Sequence, residues 1–210
     1  MEIRPAFVLF IYNLCIFSII YRKVIPLPLI NRTQNTMAKV QLQIKGIEAL
    51  QKKLMERRRI ITNTLNTSLM QVAEEAVTYS KDNKEYKDHT ANLKNSISFA
   101  LYLDGELVSS KIGNDYNPTY KDEKGRIKHN PYSQGEVIQF RENALSEYAK
   151  KEGVVAPSGY SLLIVAGMNY GKYVEDKGYN VLHLTKYFLK EEMKKALDAA
   201  LKDYNSLNGG

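Results

Sequence analysis

The chain has 210 residues, 44% of them hydrophobic, enough to bury one good core and to form a single domain. Its net charge of +7 and isoelectric point of about 9.2 are basic, but by themselves they do not argue for a nucleic-acid partner. The single cysteine, Cys15, lies near the start, so the rest of the chain has no disulfide and no thiolate metal site, which suits a reducing compartment.

Pro5 to Tyr21 is nearly continuous apolar sequence followed by Arg22 and Lys23. At roughly 17 residues it sits at the bottom of the range for a membrane span. Arg4 gives a thin basic start, but no small-x-small cleavage site follows, and Pro26 and Pro28 break any helix. Met37 opens Met-Ala-Lys-Val directly before the first folded element, and the residues before it are rich in Ile, Phe, Tyr and Asn, as translated AT-rich upstream DNA would be. Residues 1–36 are therefore expected to be a leader outside the domain, preceding the true start. A hydrophobic signal or anchor and a real piece of the globule are the alternatives. The domain is expected to span 37–205, with 206–210 a disordered tail.

Within the domain, Val40, Leu42 and Ile44 alternate with polar residues, which predicts a short strand ending at Gly46. Ile47, Leu50, Leu54, Ile61, Leu65, Leu69, Val72, Ala76 and Tyr79 recur at three- and four-residue steps. That is one apolar stripe on a long helix, or on two helices joined near 57–64, where Thr and Asn lower the propensity. Asp88, Thr90, Asn92 and Asn95 supply turn chemistry. Leu93, Ile97, Phe99, Leu101 and Leu103 then fall on odd positions and predict a strand, paired with 106–112 across the hairpin signal Asp104-Gly105.

The region 114–160 differs in character. It carries prolines and glycines with tyrosines between them, a charged arm over 121–128, and one amphipathic helix over 134–151. It reads as an insertion that reaches a neighbour, with Tyr116, Tyr120 and Tyr132 as possible interface residues. The run Leu162-Leu-Ile-Val165 predicts a central strand ending at Gly167. A short helix or turn, 169–178, is stopped by Gly178, and a last helix covers about 185–204. The fold class is α+β: a small, largely antiparallel sheet packed by a long N-terminal and a C-terminal helix.

No constellation for catalysis is visible. His89, His129 and His183 stand alone without metal-ligand spacing, and no glycine-rich loop cradles a phosphate. Ser158-Gly-Tyr-Ser161 is not a nucleophile elbow. The pairs Glu175-Asp176 and Glu191-Glu192 are sequence neighbours, which do not converge on one point of a helix. No enzyme activity, cofactor, metal or small-molecule substrate is expected. Lys52, Lys53, Arg57, Arg58 and Arg59 form a basic cluster that faces solvent or a protein partner, or contacts phosphates non-specifically.

Two short segments carry a resemblance. Thr90-Ala-Asn-Leu-Lys-Asn-Ser-Ile97 resembles the Thr-Gly-Asn-Leu-Arg-x-Ser-Ile element of the small tail-component, head–tail joining proteins of long-tailed bacteriophages. Tyr170-Gly-Lys-Tyr-Val-Glu175 is similar to that family's Tyr-Ala-x-Tyr-Val-Glu element. The order of an opening Ile-Lys-Gly-Ile-Glu-Ala-Leu, a long helix, the first segment, strands, the second segment and a terminal helix is similar too, over about Met37 to Leu201. Ala91 stands where the family prefers Gly, and Asp176-Lys-Gly178 replaces its usual Phe-Gly-Thr.

The resemblance implies a structural neck or tail-completion protein of a phage or prophage virion. It would be assembled in the bacterial host cytoplasm and act as a ring of identical subunits beside other neck and tail proteins. It marks Thr90, Asn92, Leu93, Ser96, Ile97, Tyr170, Gly171, Tyr173, Val174 and Glu175 as family-motif positions, with Tyr170, Tyr173 and Glu175 setting the short helix against the sheet or a neighbour. For the two tyrosines, core packing is the alternative. The competing functions are a membrane-anchored bacterial protein, which needs residues 5–21 to be made and inserted, and a basic nucleic-acid-binding module built on 52–59.

Overall fold

The computed structural model of the protein describes residues 10–14, 47–113 and 115–208. The expected Val40–Ile44 strand lies outside these residues, as does most of the apolar stretch 5–21.

A single helix, α1 (Ile47–Asp82), carries the whole apolar stripe and does not break at 57–64. Two threonine hydroxyls in and just after that stretch bond back to helix carbonyls. Thr64 Oγ1 donates to the Ile60 carbonyl and Thr67 Oγ1 to the Asn63 carbonyl, each at 3.0 Å. At its 36 residues the helix is about 54 Å long.

After α1 come a helical turn, α2 (Asn92–Asn95), and the hairpin of β2 (Ile97–Leu103) and β3 (Glu106–Lys111). The hairpin turn places Asp104 at φ 52° and Gly105 at φ 84°, the two positive values that a tight two-residue connection needs. Leu93, expected to start the strand, sits instead in α2, because the turn chemistry of 88–95 closes into one helical turn before the chain extends. The insertion then forms a small separate hairpin, β4 (Thr119–Lys121) with β5 (Ile127–His129), and the helix α3 (Gln134–Ala149). The chain finishes with β6 (Tyr160–Ala166), α4 (Gly171–Asp176) and α5 (His183–Asn208). The last helix runs beyond residue 205, where the domain was expected to end.

The main sheet has the order β1-β6-β2-β3 and is antiparallel throughout, with β1 being Phe10–Leu14. Five residues of the stretch expected to be a leader thus pair with β6, from Phe10 opposite Ile164 to Leu14 opposite Tyr160. Among the described residues no helix is long and apolar enough to cross a membrane.

The architecture is the α+β one expected: a small antiparallel sheet with a long N-terminal and a C-terminal helix on one face. Phe99 and Leu101 of β2 pair with Ile164 and Leu162 of β6 and point into this core, beneath Leu65, Leu69, Val72 and Ala76 of α1 and Leu189, Met193 and Leu197 of α5. The other face is also covered. Ala100, Leu163 and Val165 pack under Ala144, Leu145 and Tyr148 of α3, so the insertion supplies a third layer. Small residues at Ser98 and Ala100 let that helix approach.

Candidate functional site

The two segments that carry the resemblance, far apart in sequence, meet at one junction. In the first, Ala91 precedes α2 in the left-handed conformation, φ 59°, a geometry that glycine adopts without steric cost. Thr90 Oγ1 accepts the Asn92 N–H at 3.3 Å. The Asn92 side chain is buried and exchanges two hydrogen bonds with Asn130. Asn92 Nδ2 donates to Asn130 Oδ1 at 2.8 Å, and Asn130 Nδ2 donates back to Asn92 Oδ1 at 2.9 Å. Asn130 also donates to the Asn117 carbonyl at 2.8 Å and accepts the Tyr132 N–H at 3.1 Å. Leu93 is buried and Ile97 opens β2 inside the core. Between them Ser96 reaches the end of β6, where its Oγ and its carbonyl each accept the Gly167 N–H at 3.1 Å.

The second segment docks onto the first. Tyr170 is half-buried and packs against the core cluster that holds Leu93 and Ile97. Burial pushes the pKa of its hydroxyl up to about 12. Tyr86 lies alongside, and burial raises its pKa as well, with the nearby charges of Asp88 and Glu175 acting in the same direction. Burial likewise raises the Asp88 carboxyl, opposed by Lys84 3.9 Å away and by the Ala91 N–H. Raised hydroxyl pKa values keep these tyrosines protonated at neutral pH and unfit to act as bases, and the buried Tyr86 hydroxyl finds no hydrogen-bond partner among the described residues.

Gly171 is buried and Val174 packs against the core, whereas the Tyr173 side chain is 65% exposed. Glu175 turns back on the chain. Its Oε2 accepts the Val181 N–H at 2.7 Å and the Leu182 N–H at 3.1 Å, just ahead of α5. A carboxylate there satisfies orphan donors and complements the helix dipole. Asn180 completes the cap by accepting the Leu184 N–H at 2.9 Å while donating to the Asn83 carbonyl at 2.7 Å.

The residues read as interface candidates divide. Tyr116 donates to the Tyr132 carbonyl at 2.7 Å, Tyr132 meets Phe140 edge-on at 5.6 Å, and both tyrosines pack against the chain's own core. Tyr120 is half-buried, 6.2 Å from the His89 ring on the small hairpin. Arg57, Arg58 and Arg59 lie on the exposed first half of α1. Arg59 pairs with Glu56 at 2.8 Å, and Arg58 and Arg59 help line an open cleft of about 280 Å³ against Leu103 and Asp104.

Two residues that sequence reasoning did not single out hold the insertion in place. Asn130 carries no signal beyond its position before Pro131. Arg141 did carry one: it is the one charged residue on the buried stripe of α3, among Val137, Ala144 and Tyr148. It is fully buried, donates to the carbonyls of Gly113 and Asp115, and packs so tightly on Gly167 that a Cβ there would lie 2.7 Å from the Arg141 Cα. Gly113 is pinned in the same way, since a Cβ would fall 2.1 Å from the Asn95 carbonyl oxygen.

The junction is therefore a clamp that joins separate pieces of chain through the paired Asn92 and Asn130 amides, the Ser96 acceptors of Gly167 and the Glu175 carboxylate. Among the described residues no group of histidine, cysteine and carboxylate side chains is placed to hold a metal ion. No protein-family model, no curated protein and no solved structure matches the chain.

Proposed function

We propose that the chain is a non-enzymatic structural protein of a long-tailed phage or prophage virion. In this reading it joins or completes the tail at its head-proximal end as a ring of identical subunits. One observation carries it: the two segments that resemble tail-component elements pack into one core, Tyr170 and Val174 of the second against the cluster that holds Leu93 and Ile97 of the first. Two short likenesses scattered over a surface would mean little. Two that build one junction behave as a unit, which is what shared ancestry of a fold would leave behind. The clamp also suits a mechanical part, because buried, fully paired amides resist local opening.

Mass spectrometry of purified phage particles from the source strain tests the proposal. Peptides of this chain at a few copies per particle are the expected result. Their absence from particles, with peptides from 7–21 recovered in cell membranes, would overturn it in favour of the anchored protein.

A further inference from the structure

None of the described residues 119–129 belongs to either apolar cluster, yet the small β4–β5 hairpin that they form is braced at both ends. At its base the Asn130 N–H donates to the Pro118 carbonyl at 2.8 Å, and the Asn130 side chain ties Asn117 to the buried Asn92. At its tip Asp122 Oδ1 accepts the N–H groups of Lys124 and Arg126 at 3.0 and 2.9 Å, and Gly125 turns the chain at φ 72°. Strands of three residues each would not hold as an isolated hairpin in water. The bracing therefore fixes the shape of an element that seals no core.

The two faces of this ribbon differ. Tyr120 pairs with Lys128, and the Tyr120 ring lies 6.2 Å from that of His89, so their face turns toward the chain. Thr119 with His129 and Lys121 with Ile127 form the other face, and all four residues are exposed. Ile127 is 70% exposed, a large apolar side chain between Arg126 and Lys128 in the sequence. Both carboxylates of the ribbon are held within the chain: Asp122 by Arg126 and Glu123 by Lys87, each at 2.9 Å. Lys121, Lys124 and Lys128 are exposed and take part in no ion pair among the described residues.

We propose that this ribbon is a sequence-independent contact for double-stranded nucleic acid, in which Lys121, Lys124 and Lys128 meet phosphates and Ile127 enters the groove. A two-stranded ribbon has the width that a major groove admits, and an apolar side chain flanked by cations suits contact with base edges. Lysines on flexible stems meet phosphates as point charges and read no sequence. A lipid surface is disfavoured, because one isoleucine buries too little apolar area to hold there. The inference goes beyond the proposed neck role and is argued from this chain's own surface.

Fluorescence anisotropy of a labelled mixed-sequence duplex, titrated with the full chain at several salt concentrations, tests it. Binding is expected, with log affinity falling linearly against log salt. Lys121→Gln with Lys124→Gln and Lys128→Gln is expected to weaken it at least about tenfold and to flatten the slope by about 0.9 per lost phosphate contact. Ile127→Ser is expected to weaken binding about fivefold with the slope unchanged, which ionic attraction alone would not give. Lys52→Gln with Lys53→Gln takes cations from α1 instead and is expected to leave affinity within about twofold. No duplex binding, an unchanged ribbon variant, or an equal loss from the α1 variant would overturn the contact. So would tighter binding of a single strand of the same sequence, or polyglutamate that competes as strongly as unlabelled duplex. Capture on phosphatidylserine vesicles with none on duplex would overturn it in favour of a lipid surface.

Lysine acetylation of the wild type covers a ribbon variant that fails to fold. Added duplex is expected to protect Lys121, Lys124 and Lys128 and to leave Lys52 and Lys53 reactive; the reverse, or equal protection of both groups, rejects the ribbon. Peptides in phage particles with no duplex binding would reject this inference and leave the virion reading standing. Duplex binding with no peptides in particles would do the opposite.

Discussion

The two halves of α1 carry one stripe and meet two different surroundings. From Leu65 to Ala76 the stripe is sealed by the sheet and by α5; from Ile47 to Ile60 the same face stands in solvent. The contrast separates what a hydrophobic period specifies from what it leaves open. Period fixes which side of a helix is apolar, but the partner that covers it belongs to the rest of the fold, or to another molecule. The junction around Asn92 is the opposite case, a polar surface closed entirely within one chain.

Breaking the stripe in each half should give the largest difference. Leu69→Ala empties a fully buried site and is expected to cost about 3 kcal/mol, whereas Leu54→Ala is expected to change stability by under about 0.5 kcal/mol. Urea unfolding of the two variants checks this, and equal losses would mean that the first half is covered within the monomer.

A smaller effect is expected at the junction. Asn92→Ala leaves the half-buried Asn130 amide without its reciprocal partner, at about 2 kcal/mol, and adding Asn130→Ala should cost much less than a second such loss. Additive losses in that double-mutant cycle would show that the two amides act separately. Smallest, and of opposite sign, is Ala91→Gly. Relief of the left-handed alanine is expected to raise stability by about 1 kcal/mol, visible as a higher melting temperature.

Much of the fold was legible because it rests on local rules. The stripe of α1, the Asp104-Gly105 hairpin, the continuous apolar run of β6 and the stop at Gly178 each follow from a period or a turn preference. What stayed hidden depends on contacts between distant residues. Ser98 and Ala100 alternate with large apolar residues as a solvent face would, yet smallness is also what a strand needs beneath a packed helix, and only the docking of α3 decides between them. Phe10–Leu14 was too apolar to resemble a two-sided strand, although a strand beside β6 reads that way.

The candidate site was half legible. Its two segments stood out by resemblance, but that Tyr170 would pack on the core around Leu93 and Ile97, or that Asn92 would find Asn130, is written in no period. The possible break near 57–64 does not form: the helix runs through it, and the Thr64 hydroxyl donates to the Ile60 carbonyl one turn back.

The central claim is a contrast along the molecule: the junction closes one chain on itself, while the stripe on the first half of α1 stands in solvent. Hydrogen–deuterium exchange of the full chain tests it most directly. The account predicts that amides of 92–97 and 130–132 exchange much more slowly than those of 47–57. Equal protection of 47–57 and 92–97 would contradict it.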